Sequence, residues 1–536
     1  MPKGTELMDF KLENYGGEAS LGNEAADTID KHRTTWRRNK IALYWEGKNG
    51  ATKKFTFYDL SELSNKFANI LKNRGIKKGD RVLIFLPRVP ECYVSFLGII
   101  KTGAIACCLF SAFGEEGLFD RLNDSGAVAI ITNKELQPRL DKVRGKLPNL
   151  KHVITVDESD FDAEMKRASP NFEAKKMKKE ESSFMVYTSG STGKSKGIVH
   201  SHGGALRRHQ TGKLVLDYKD EDIFWGTYDP GWVSGPIYTL LSAWSNGVTE
   251  LVYEGKFDPD KWYLLIEKYK VNVLATAPTA LRMLMANGEA TAQKYNLTSI
   301  RHIITIGEPL NPEAIKWAHN AFKVWPHDVY WQTETGGIMV SNHLGLKLKP
   351  GSMGKPLSDL EVKITEEGEL CFKVGWSSMF TGVWNNEKRY AEYFKDGWYH
   401  TGDTVEIDSD GYITYVGRND DLIKTSGERV GPFEVESTLL EHPAIAEAGV
   451  IGIPDPEGIR GNIIKAFIVT RKGYEESKVL EDEIRKFIKE KLAGHMYPRQ
   501  IEFRPTLPRT QSGKIMRRVL KAQELKLPLG DLSTME

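Results

Sequence analysis

The chain has 536 residues, more than one ordinary hydrophobic core accommodates, so at least two domains are expected. Hydrophobic residues make up 40% and charged residues 27%, a soluble globular balance, and Lys+Arg 74 against Asp+Glu 72 leaves no global charge to attract nucleic acid or an acidic membrane. The opening MPKGTELMDFKLENYGG lacks the basic-then-apolar order of a signal peptide, and no apolar stretch approaches the roughly 20 residues that span a bilayer. Cys92, Cys107, Cys108 and Cys371 have neither zinc-site spacing nor the density of a disulfide scaffold, so they read as reduced core thiols of a cytoplasmic protein.

In chain order, Thr56 with Phe57, Tyr58 and Asp59 resembles a capping box, and Leu60, Leu63, Phe67, Ile70 and Leu71 recur at helical spacing, predicting a helix to about Arg74. Gly75 ends it. Arg81–Leu86 is a short apolar run closed by Pro87, as expected of a strand buried on both faces. Similar runs begin at Ala127, His152, Phe184, Val271 and His302 and alternate with helical stretches, which predicts an α/β fold with parallel, helix-covered sheets. Near residue 350 the texture turns Gly-rich and alternating (EVKITEEGELCF, DGYITYVGR), predicting a small β-rich subdomain. Beyond Asp421 a compact α+β tail follows, in which Lys and Arg far outnumber Glu between Arg485 and Lys526. That excess suits a polyanionic ligand, although a charge run is ordinarily a solvated face.

The densest chemical signal is Tyr187-Thr188-Ser189-Gly190-Ser191-Thr192-Gly193-Lys194-Ser195-Lys196-Gly197, directly after an apolar strand. Glycines let successive backbone N–H groups turn toward an anion, hydroxyls donate further hydrogen bonds and lysines add positive charge, so the composition is that of a phosphate cradle. Gly193-Lys194-Ser195 ends like a Walker A loop, but the glycine needed five residues earlier is Thr188, so the P-loop pattern fails.

The segment resembles the phosphate loop of the adenylate-forming superfamily of acyl-CoA synthetases, luciferases and peptide-synthetase adenylation domains. Further stretches resemble family motifs in the same order: Gly307-Glu308-Pro309-Leu310, Tyr330 to Gly337 (YWQTETGG), Tyr399 to Asp403 (YHTGD), Gly417 to Asp421 (GRNDD), Ser426 to Arg429 (SGER) and Pro508 to Ile515 (PRTQSGKI). The resemblance covers nearly the whole chain. It implies a large N-terminal domain over 1–419 and a small mobile C-terminal domain over 420–536, with the hinge at Asp420.

The resemblance also assigns roles. A carboxylate attacking the α-phosphate of ATP brings two anions together, which calls for lysine, arginine and a divalent cation. Lys514 is implied as the catalytic lysine. Glu334 and the Thr192 hydroxyl would hold Mg²⁺, a hard cation that prefers oxygen. Asp403 and Arg418 would bind the ribose, and Arg429 would fix the phosphates. Gly307, Glu308, Pro309 and the run Asp328, Val329, Tyr330, Trp331, Gln332 and Thr333 would frame adenine and the α-phosphate. Taken singly, Asp403 could cap a turn, Arg418 could pair with Asp421, and Lys514 could lie on the surface. His442, with carbonyls near it and Ile445, is implied as a further cation site. For the second step, in which coenzyme A attacks the acyl-adenylate, Ser426 and Gly427 would line the pantetheine tunnel, with Lys489 and Arg139 as phosphate ligands.

Asp229 to Gly235 (DPGWVSG) resembles the acetate-pocket segment of acetyl-CoA synthetases. Trp331, where relatives handling medium chains carry glycine, would shorten the pocket, and with Val233, Ser234 and Ile306 it implies a two- or three-carbon acid. A lone indole is otherwise core packing. Ser234, Pro236 and Ser195 depart from the threonine, histidine and proline usual at their positions, and a hydroxy, branched or medium-chain acid stays open. So does an adenylation enzyme that loads a carrier protein.

Overall fold

The computed structural model describes residues 12–15, 20–188, 195–425, 428–457, 461–492, 496–510, 514–530, 532 and 535. The capping box forms as the sequence predicts. The Thr56 hydroxyl accepts from the Asp59 N–H while the Asp59 carboxylate accepts from the Thr56 N–H, and the helix Phe57–Asn73 buries Phe57, Leu60, Phe67 and Leu71 against the helix Pro90–Lys101.

The large N-terminal domain is built on two mixed sheets. One has seven strands; its parallel members Ser182–Thr188, Arg81–Ile84, Ala129–Thr132 and His152–Thr155 are apolar runs expected from the sequence, and Ile105–Cys108 is a further strand that the sequence pattern leaves unmarked. The other has nine strands, with Pro326–Tyr330, His302–Ile306, Val273–Thr276, Ile223–Gly226, Thr249–Tyr253 and Ile41–Glu46 parallel in that spatial order. Ile303, Ile304, Val273 and Ala275 are wholly buried, as strands covered by helices on both faces must be. The predicted β-rich region is a separate antiparallel sheet of five strands containing Glu369–Lys373, Trp398–Ile407 and Ile413–Arg418.

The small C-terminal domain carries the three-stranded sheet of Ile445–Pro454, Asn462–Thr470 and Gln500–Phe503, packed against the helices Pro432–Leu440, Lys478–Lys491 and Arg517–Glu524. Much of its basic run is paired at home: Arg485 meets Glu481, Lys491 meets Glu441, Arg504 meets Glu502, Arg509 meets Glu447 and Arg517 meets Glu436. These pairings neutralise part of the run within the small domain, and particular cations, Lys514 among them, face the cavity at the domain seam. All four cysteines are buried and free, as predicted.

Candidate active site

The site lies where the parallel strands of the nine-stranded sheet end at their carboxyl edge, the usual crevice of an open α/β sheet. His302–Ile306 runs into Gly307-Glu308-Pro309, Pro326–Tyr330 into Trp331 and Gln332, and Val273–Thr276 into the helix Pro278–Ala286. A cavity of about 290 Å³ opens there, lined by Gly307, Glu308, Pro309, Asp328 to Gln332, Asp403, Arg418 and, from the small domain, Arg509, Lys514 and Arg517. Residues more than two hundred positions apart thus meet across the domain seam.

The loop after Tyr330 is held rigidly. Trp376 and Ser378 donate to the Thr335 carbonyl at 2.9 and 2.8 Å, and the Phe380 N–H donates to the Glu334 carbonyl at 3.0 Å. Gly336 has φ of +63°, and a Cβ there would strike the Ser378 carbonyl oxygen, so this turn requires glycine. The clamp aims Gln332 at Asp403: Gln332 Nε2 donates to Asp403 Oδ2 at 2.6 Å, and the Tyr330 hydroxyl donates to the same oxygen at 2.7 Å. Arg418 stands directly across the antiparallel ladder from Asp403, its Nε 3.9 Å from Oδ1. Burial pushes the Asp403 carboxyl up and outweighs the opposing pull of Arg418, Tyr330, Lys514 and Gln332. Asp403 is neither a turn cap nor a surface acid. It is a 5%-exposed carboxylate facing the cavity with one oxygen near a guanidinium.

Lys514 is positioned by an antiparallel bridge between Arg509 and Ile515 and by the Thr510 N–H, which donates to the Lys514 carbonyl at 2.8 Å. Burial lowers its pKa first, then the nearby charges of Arg418 and Arg517, while Glu308 and Asp403 oppose the shift. Glu308 is itself pushed up by burial, but Arg282 and the Thr279 hydroxyl, 2.8 Å from Oε1, bring it below the ordinary carboxylate value. Arg517 is held by Glu436 at 2.7 Å from Nε and lies 3.9 Å from Asp421. Sequence reasoning assigned no role to Thr279, Arg282 or Arg517. The signals are that Thr279 and Arg282 stand three apart on one helix, where such residues are neighbours, and that Arg517 falls in the basic run.

Other expected residues divide into three groups. Thr188 pairs with Lys196 at the base of the phosphate loop. Burial and Arg389 lower the pKa of Lys196, while Glu334 raises it, and the ammonium stands over the Tyr393 ring at 5.9 Å. Glu334 Oε1 accepts from the Tyr393 hydroxyl at 2.8 Å. The loop residues Ser189, Gly190, Ser191, Thr192, Gly193 and Lys194, and Ser426 and Gly427, lie outside the described residues. The third group is not brought to the cavity. Arg429 is exposed and donates to the Glu367 carbonyl at 2.9 Å; Lys489 holds its ammonium over the Tyr497 ring; Arg139 donates to the Ser111 and Phe113 carbonyls. His442 is buried edge-on against Phe487 with Nε2 3.5 Å from Glu483, and its carbonyl accepts from Ile445 N–H.

Trp331 lines the cavity, while Val233, Ser234 and Ile306 are buried without lining it. Asp229 to Gly235 is pressed against the Ile105–Cys108 strand's exit, where a Cβ on Gly231 would lie 2.6 Å from the Phe110 nitrogen. It leads into a buried π-helix, Gly235–Ser242, a rare form often found beside functional sites. Tyr238 of that helix meets Trp331 edge-on at 5.1 Å. Trp331 Nε1 and Ser234 Oγ are buried donors with no hydrogen-bond partner among the described residues.

Residues 30–378 match the model of the AMP-binding enzyme family and residues 434–514 that of the AMP-binding enzyme C-terminal domain. This chain belongs to the adenylate-forming AMP-binding enzymes. It is 50% identical to the acetyl-coenzyme A synthetase of Bacillus subtilis (strain 168), over 96% of this chain and 92% of that protein. It is 40% identical to the acetyl-coenzyme A synthetase of Pyrobaculum arsenaticum, over 97% and 85%. Among solved structures, the anthranilate CoA ligase AuaEII in complex with anthranoyl-AMP superposes with a TM-score of 0.87 at 29% identity, covering 96% of this chain and 98% of that one. The acyl-CoA synthetase of Brucella canis gives 0.73 at 34%, covering 97% and 98%. No helix among the described residues is long and apolar enough to cross a membrane.

Proposed function

We propose that this AMP-binding enzyme is an AMP-forming acetyl-CoA synthetase. It joins a small carboxylic acid to ATP, releasing pyrophosphate, and then transfers the acyl group to coenzyme A, releasing AMP. The observation that carries this reading is the convergence of Lys514, Asp403 and Trp331 on one cavity. Asp403 binds the ribose hydroxyls with Arg418, and Gly307 to Pro309 with Asp328 to Gln332 frame the adenine. Lys514 bridges the carboxylate and the α-phosphate, where its charge offsets the charge of the transition state. The phosphate loop from Thr188 to Lys196 holds the β- and γ-phosphates. Glu334 is a hard oxygen donor fixed by Tyr393, so with the Thr192 hydroxyl it fits Mg²⁺, which neutralises phosphate charge when bound. Trp331, packed on Tyr238, floors the acid pocket and selects acetate over longer acids.

The present domain arrangement serves the first step. Rotation of residues 420–536 about Asp420 then withdraws Lys514 and brings Ser426 and Gly427 toward the thiol's path. In that arrangement Arg429 leaves the Glu367 carbonyl, and Lys489, paired with Arg499 around Tyr497, faces the phosphates of coenzyme A. The enzyme works in the cytoplasm, where its buried thiols stay reduced. The test is pyrophosphate release with acids of two to six carbons, with and without coenzyme A. AMP, pyrophosphate and acetyl-CoA in equal amounts, with acetate the best acid, support the reading; ADP as product, or a best acid longer than acetate, overturns it.

A further inference from the structure

The spacing of the cysteines along the chain gives no zinc motif, yet folding places one of them in a mixed donor set. Cys371, on the strand Glu369–Lys373, lies directly opposite His400 on the strand Trp398–Ile407, and Glu369 two residues earlier shares the same face. Cys371 Sγ is 3.4 Å from His400 Nδ1, and that nitrogen is 2.9 Å from Glu369 Oε2. The three donor atoms lie within 4.8 Å of one another, the one such group among the described residues.

The set is supported from outside. The Gly402 N–H donates to Glu369 Oε1 at 2.8 Å, which turns Oε2 toward the imidazole in the manner of a partner that orients a metal ligand. Lys363, the cross-strand neighbour of Cys371 on its other flank, holds its ammonium over the Trp398 ring at 4.5 Å. The His400 and Glu369 side chains are 22% and 17% exposed, so an ion can enter from solvent, and none of the three residues lines the substrate cavity.

We propose that Glu369, Cys371 and His400 form a zinc-binding site with water as the fourth ligand. One sulfur, one imidazole nitrogen and one carboxylate oxygen suit zinc, whereas magnesium and calcium select sets of oxygens. Tetrahedral bonds of about 2.3 Å to sulfur and about 2.0–2.2 Å to nitrogen and oxygen put sulfur and nitrogen about 3.5 Å apart and nitrogen and oxygen about 3.4 Å apart. The first span already matches, and the second opens by about half an ångström as the ion replaces the hydrogen bond. The ion would tie the strand Glu369–Lys373 to the strand Trp398–Ile407, which carries Asp403 three residues beyond His400.

The full-length enzyme, stripped with a chelator, is titrated with Co²⁺ and then with Zn²⁺. The site predicts one Co²⁺ per chain with a near-ultraviolet thiolate charge-transfer band, displaced by Zn²⁺ and not by Mg²⁺. Cys371→Ser should abolish the band and weaken zinc binding by more than the ~10- to 100-fold typical of losing an outer-shell partner. A wild-type protein that shows no thiolate band with stoichiometric Co²⁺ overturns the proposal, whatever the folding of the variant. So does a folded Cys371→Ser protein that binds zinc as the wild type does.

Discussion

Replacing Trp331 by glycine tests the reading of the acid pocket. The indole is 8% exposed, stands edge-on to Tyr238 and lines the cavity, so its removal opens space at the pocket floor. An indole buries about 150–250 Å², and truncating a buried one costs about 3–5 kcal/mol of stability, so the variant should melt several degrees lower. The vacated volume favours longer acids. Each methylene transferred from water into an apolar site gains about 0.8 kcal/mol, roughly fourfold in kcat/KM. Hexanoate has four more methylenes than acetate, so its kcat/KM relative to acetate should rise by about two orders of magnitude if all four find cover. The assay is acid-dependent pyrophosphate release across two to six carbons, on protein shown to be folded by its melting transition. A folded Trp331→Gly enzyme with the wild-type chain-length profile would refute the assignment and leave Trp331 as core packing.

Asp403→Ala strips Tyr330 and Gln332 of their shared acceptor and removes the acceptor proposed for the ribose hydroxyls; losing charged hydrogen bonds to ATP worth about 1.5–3 kcal/mol should raise the KM for ATP by about 10- to 100-fold. Arg282→Met leaves Glu308 buried beside Thr279 alone; because both side chains are partly exposed, the cost should fall at the lower end of the ~3–5 kcal/mol for breaking a buried pair. Urea unfolding of Arg282→Met combined with Glu308→Gln should recover much of that loss, and additive losses would contradict the pairing. Burial raises the Asp328 carboxyl to about 7, above its unfolded value, so its contribution to stability is full at low pH and is lost as pH rises through about 7. Asp328→Asn should remove that dependence, flattening the free energy of urea unfolding between about pH 4 and pH 7 by about 1.4 kcal/mol per unit; an unchanged pH profile would show that the group does not titrate there.

The parallel strands were legible because burial on both faces demands unbroken apolar runs, and HIITI and VNVLAT supply them. Strand order was not, since Ile223–Gly226 separates Thr249–Tyr253 from Val273–Thr276 in the sheet and no local pattern encodes that neighbour relation. Ile41–Glu46 and Thr249–Tyr253 carry polar residues at Glu46, Thr249 and Glu250 that mask the pattern. The π-helix Gly235–Ser242 has an apolar sequence compatible with any buried element, and only packing reveals its form. In the site, motif residues were readable one by one, whereas Arg282 under Glu308, Arg517 beside Lys514 and His400 across from Cys371 are meetings made by the fold. Conversely, the basic run between Arg485 and Lys526 invited a ligand that much of it does not need, because acids elsewhere in the small domain pair with it.

The central claim is that Lys514, delivered by the small domain, drives adenylation in this arrangement and is absent from the thiol step. Lys514→Ala measures this directly when both half-reactions are followed separately. Acetate-dependent pyrophosphate release should fall by about 10²–10³ or more, the scale of losing a group that stabilises transition-state charge, while ATP binding stays measurable and preformed acetyl-adenylate still yields acetyl-CoA with coenzyme A. Wild-type pyrophosphate release from the variant, or equal loss in both half-reactions, would contradict it.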